Sequence, residues 1–140
     1  MIPVILQSII KGRTRRRLLL AFYEEIKDNL ESYYVMFQIG KLRFFKLEGW
    51  EQAMAFPHGE WDSAVVHYAE RLREYLRALK EFKEYEDWYA SDINNKSQET
   101  GRVLHGKREA AQAKFEGLEP VIKAALSSVE GQLKTMKILK

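Results

Sequence analysis

Between residues 15 and 39 the apolar side chains Leu19, Phe22, Ile26, Leu30, Tyr33 and Phe37 recur at spacings of three and four. On an α-helix that spacing stacks them into one stripe. It predicts a first helix from about Arg15 to Ile39, with Glu24, Glu25, Lys27, Asp28 and Glu31 on the wet side and Gly40 as its stop. The pattern is cleanest further on. Val65, Tyr68, Leu72, Tyr75, Leu79 and Phe82, widened by Ala69 and Leu76, define a long helix ending near Tyr89, with Asp62 or Ser63 as its cap. Its outer side pairs Glu70 with Arg73, Glu74 with Arg77, Arg77 with Glu81 and Lys80 with Glu84. Such pairs add only about 0.2–0.5 kcal/mol each and favour a solvated helix face, not a ligand site.

The stretches between are less regular. Residues 41–60 predict a short helix around Glu48 to Phe56, closed by Pro57-His58-Gly59, and Leu42 and Phe44 alternating about Arg43 fit a brief extended segment before it. The many large apolar residues here suit a linker that covers the core. Ser91 to Thr100 is a polar loop. Helical spacing then resumes through Leu104, Ala111, Phe115, Leu118, Ile122, Leu126, Val129, Leu133 and Met136. Gly117 and Pro120 interrupt it, which predicts two helices with Pro120 in the first position of the second. The fold class expected is all-α: an antiparallel helical bundle of three to four main helices plus a short connecting helix. Most of the seven tyrosines are expected to bury their rings and leave their hydroxyls at the edge.

Charge divides the chain more sharply than hydropathy does. Residues 1–17 hold Lys11, Arg13, Arg15, Arg16 and Arg17 and no acidic residue, a net +5, whereas the remaining 18 basic and 20 acidic residues leave the rest at −2. The basic balance thus belongs to an N-terminal arm, residues 1–17, preceding a single bundle domain, 18–140. The arm opens with Met-Ile-Pro-Val-Ile-Leu-Gln-Ser-Ile-Ile, about half the roughly twenty apolar residues that a spanning helix needs. It is also unlike a signal peptide, where the positive charge comes before the apolar run. Two membrane readings follow. Val4, Ile5, Leu6, Ile9 and Ile10 dip into a lipid surface while the cations hold anionic headgroups, or they end a longer spanning helix whose cytoplasmic flank is Lys11 to Arg17. Against both stands the plain reading that the apolar residues pack on the domain or on a second copy, with the arginines solvated.

Little else carries chemistry. With no cysteine there are no disulfides, thiol nucleophiles or thiolate metal sites. Gly101 to Lys107 matches the first seven positions of a phosphate loop, but Arg108 stands where a hydroxyl must hold magnesium and no apolar strand precedes it. A di-metal bundle needs Glu-x-x-His twice, whereas Ala55, Ala64 and Arg102 stand three before His58, His67 and His105. His67 with Glu70 has the reversed order, once. No catalytic residue, metal ligand or cofactor is assigned, and no shielded carboxylate is visible. The sequence favours a non-enzymatic, self-associating interaction or assembly protein, held at the cytoplasmic face of a membrane by its arm. A nucleic-acid-binding accessory protein that uses the same Arg/Lys cluster is the first alternative, and an enzyme with an interhelical pocket the second.

Overall fold

The computed structural model describes residues 4–54 and 61–137, leaving aside the side chains of 4–12 and of Met54; the Pro57-His58-Gly59 breaker lies outside the described residues. Five α-helices follow in order: α1 (Val4–Ile39), α2 (Glu48–Met54), α3 (Ser63–Ser91), α4 (Gln98–Phe115) and α5 (Leu118–Thr135). No described residue lies in a strand. The all-α bundle expected from the sequence is the fold.

α1 starts at Val4 and not near Arg15, so its 36 residues form one rod of about 54 Å. No proline interrupts residues 4–14, so the helix can continue there although Gly12 and several β-branched residues lie within it. Among the described side chains, burial along α1 begins at Leu19 and continues through Phe22, Ile26, Tyr33 and Met36. Phe37, predicted on the stripe, is 72% exposed, and Met36 takes the inward place. A stepwise count of three and four drifts against the helix's 3.6-residue turn, and here it drifts by one position.

α3 follows its pattern closely: Val65, Tyr68, Ala69, Leu72, Tyr75, Leu79 and Phe82 are all buried, and Leu76 at the edge of the stripe is partly buried. Asp62 is its cap, its carboxylate accepting from the Ala64 amide at 3.3 Å. The polar loop after α3 contains one 3-10 turn, Ile93–Asn95, and then Ser97 and Thr100 exchange hydrogen bonds in a box that opens α4. Gly117, with φ at +82°, makes the break between α4 and α5. Pro120 is the third residue of α5 and not the first, at no cost in hydrogen bonds because first-turn amides lack intrahelical partners anyway.

Cross-links fix the helix directions. Lys114 reaches Glu74 and Lys107 lies over the Tyr85 ring, so α4 runs antiparallel to α3. Phe115, just before α5, lies 6.0 Å from Tyr75 and Ser128 donates to Asp62 at 2.8 Å, so α5 also opposes α3. Tyr33 stacks on Phe115 at 4.6 Å beside the start of α5, which packs back along α1. The directly packed pairs are therefore antiparallel. Phe22 meets Tyr68 and Met36 meets Tyr75 across the core, so α1 and α3 run the same way, joined through long side chains. Large rings fill that gap: Phe22 lies against Trp50, Trp61 and Tyr68, and Phe45 against Tyr75.

This packing ranks two substitutions. Leu72→Ala, at a fully buried position, should cost about 2–5 kcal/mol in chemical denaturation. Phe37→Ser should change stability by no more than about 0.5 kcal/mol. A Phe37 variant as damaging as the Leu72 variant would contradict the observed register of α1.

Candidate functional site

Residues 41–47 form no helix and have no sheet partner, so their backbone groups must be satisfied elsewhere. The helices do this with side chains. Asn29 of α1 accepts from the Lys46 amide at 3.0 Å, and its Nδ2 donates to the Lys46 carbonyl at 2.8 Å, as a neighbouring strand would. The same Nδ2 donates to the Tyr68 hydroxyl of α3 at 2.7 Å. Two turns along, the Tyr75 hydroxyl donates to the Arg43 carbonyl at 2.7 Å, and the Arg43 amide points at the Met36 sulfur at 3.3 Å. Leu42 and Phe45 turn inward and Phe44 stays 55% exposed, so the predicted alternation of Leu42 with Phe44 does not hold.

Glu25, placed by its charge on the wet face, is buried. It accepts from the Gly49 amide at 2.9 Å and the Trp50 amide at 3.2 Å, two first-turn donors of α2 that the helix itself cannot satisfy. Glycine at position 49 serves contact, not conformation. A Cβ there would lie 3.1 Å from the Phe22 Cα and 3.0 Å from the Glu25 Oε2. Burial raises the Glu25 carboxyl above its ordinary value near 4.5, and the two amide bonds pull it back in part. Burial likewise raises the Tyr68 and Tyr75 hydroxyls, so both stay neutral donors or acceptors. These hydroxyls sit inside the core, not at the edge that the composition suggested. The shielded carboxylate that the sequence did not reveal therefore exists, and it is spent on holding the chain.

Two open surface grooves flank this clamp. One, of about 320 Å³, is lined by Asp28, Glu31, Ser32, Val35, Arg43 and Lys46. The other, of about 340 Å³, lies at the end of α1 between Lys41, Lys83 and Arg108. Glu25, Tyr68 and Tyr75 line neither.

The remaining motifs resolve simply. Gly101 to Arg108 lies within the unbroken helix α4, so no phosphate-cradling loop exists there. His67 is exposed, and His105, also exposed, lies 2.9 Å from Glu109 one helical turn away. No cluster of three or more His, Cys, Asp or Glu that suits a metal occurs among the described residues. Arg13, Arg15, Arg16 and Arg17 are exposed on α1 ahead of its first buried residue. Lys11, Val4, Ile5, Leu6, Ile9 and Ile10 belong to the same helix, with their side chains outside the described set. No described helix is long and apolar enough to cross a membrane.

The clamp has measurable consequences. Glu25→Ala leaves two shielded amides unpaired and should cost about 1–3 kcal/mol. Because the folded carboxyl binds its proton more tightly than the unfolded one, Glu25 makes stability fall as pH rises from about 4.5 through the raised value. In Glu25→Gln that slope should flatten, as denaturation midpoints measured across the window would show. An unchanged slope would mean that Glu25 is solvated.

No protein-family model matches the chain, and comparison with curated proteins and with solved structures likewise finds no match.

Proposed function

We propose that this protein is a non-enzymatic helical interaction module that docks on an anionic membrane surface, at the cytoplasmic face, through the N-terminal end of α1. The observation that supports this most is the placement of four exposed arginines within residues 13–17, on an uninterrupted helix and outside the core. Each cation near an anionic leaflet contributes about 1 kcal/mol. The apolar residues Val4, Ile5, Leu6, Ile9 and Ile10 supply the second signal that stable attachment requires. Since α1 continues into the bundle without a break, a docked arm would hold the body at a set distance from the surface instead of tethering it loosely. Nucleic acid would use the same arginines, through phosphate contacts alone and with steep salt dependence.

Co-sedimentation with phosphatidylcholine vesicles, with and without phosphatidylserine, separates these readings. Wild type should pellet only with the anionic vesicles and in part persist at moderate salt. Arg15→Glu, Arg16→Glu and Arg17→Glu together should weaken binding about a hundredfold or more. Ile5→Asp with Ile9→Asp should remove the salt-resistant part. A wild-type chain that never pellets, or a triple variant that binds unchanged, would overturn the proposal.

A further inference from the structure

The far end of the molecule carries the opposite charge and an uncovered apolar face. Between Glu84 and Glu99 the chain holds five carboxylates, Glu84, Glu86, Asp87, Asp92 and Glu99, against one cation, Lys96. These residues form the tip where α3 turns into α4. Glu84 and Glu86 are only loosely engaged, at 3.9 and 4.0 Å from Lys80 and Lys83, and Asp87 and Glu99 have no ion-pair partner among the described residues. Among the carboxylates lie Trp88, 45% exposed, Ile93, 79%, and Val103, 42%. Lys107 over Tyr85, and Tyr85 against Trp88 at 5.2 Å, set Trp88 and Val103 on one side of the hairpin, each one turn nearer its end.

No chain can place its own arm there. α1 rises about 48 Å from Val4 to Met36, Met36 lies beside Tyr75, and α3 rises about 24 Å more to Ser91 in the same direction. Val4 and Ser91 are therefore about 70 Å apart, and even Arg17 and Glu84 about 40 Å, at opposite ends of a stiff body.

We infer that the acidic, apolar tip of the α3–α4 hairpin is the docking surface for the basic N-terminal end of α1 of a second copy, giving head-to-tail assembly. Charge complementarity selects this occupant: the arm's net +5 meets the tip's net −4, with apolar residues on both. A contact between two different patches leaves one of each free at the ends, so it extends into a ring or filament and does not stop at a dimer. The inference stands apart from membrane docking, although both use the arm, so anionic lipid competes with assembly.

Sedimentation velocity without lipid, at low and moderate salt, tests it. The mass of wild type should rise with concentration past a dimer and fall with salt. Arg15→Glu with Arg16→Glu, or Glu84→Lys with Asp87→Lys, should each leave a monomer, with helicity by circular dichroism unchanged. Mixing the two variants restores one compatible junction and should give a heterodimer that grows no further. The tip variant should still pellet with anionic vesicles, which keeps this result distinct from that of the membrane test. A wild type that stays monomeric, a closed dimer indifferent to the tip charges, or a mixture that remains monomeric would overturn the inference.

Discussion

The carboxamide of Asn29 has both its oxygen and its nitrogen committed to Lys46, and its nitrogen to the Tyr68 hydroxyl as well. That arrangement decides the rest of the fold. A segment without regular structure can cover a core only if its peptide groups find partners, since an unpaired buried amide costs about as much as a helix cap contributes. α1 and α3 supply these partners with Glu25, Asn29, Tyr68 and Tyr75, all on inward faces. With the wrap tied down, Phe45, Trp50 and Ala53 close the side of the bundle that α5 leaves uncovered.

The direction of the molecule follows from the same constraint. The wrap runs back along α1 before α3 begins, so α3 starts beside Phe22 and must run parallel to α1. A tight hairpin would have made the two antiparallel and put the N-terminus of α1 beside the far end of α3. The long return separates them instead. Each end of the body therefore carries its own chemistry, arginines at one and carboxylates with exposed Trp88 and Ile93 at the other.

How much of this was legible depends on the range of the interaction. The stripe of α3 was read with only Leu76 left half-buried at its edge, because amphipathic periodicity is local and the inward positions are apolar. The short helix before the breaker was also read, as was the division of the last third. In α1 the inward face contains a glutamate and an asparagine among Phe22, Ile26 and Tyr33. Charge and polarity assign such residues to water, and only partners 17 to 39 positions away reverse the assignment. One signal was present: Asn29 lies three after Ile26 and four before Tyr33, on the stripe itself. Leu30 was read there in its place and is only partly buried. The basic N-terminal end of α1 was visible as composition, yet its continuity with the helix was not, because the apolar stripe of the body does not run on through residues 4–14 and Gly12 interrupts them.

The central claim is that side chains of α1 and α3 clamp an otherwise unpaired segment onto the core. Native-state hydrogen exchange at the Lys46, Gly49 and Trp50 amides addresses it most directly. The clamp predicts protection approaching that of the α3 core, released only by opening of the whole bundle. Exchange of these three amides at the rate of exposed loop amides, with α3 still protected, would show that the segment lies on the surface unheld and would contradict the account.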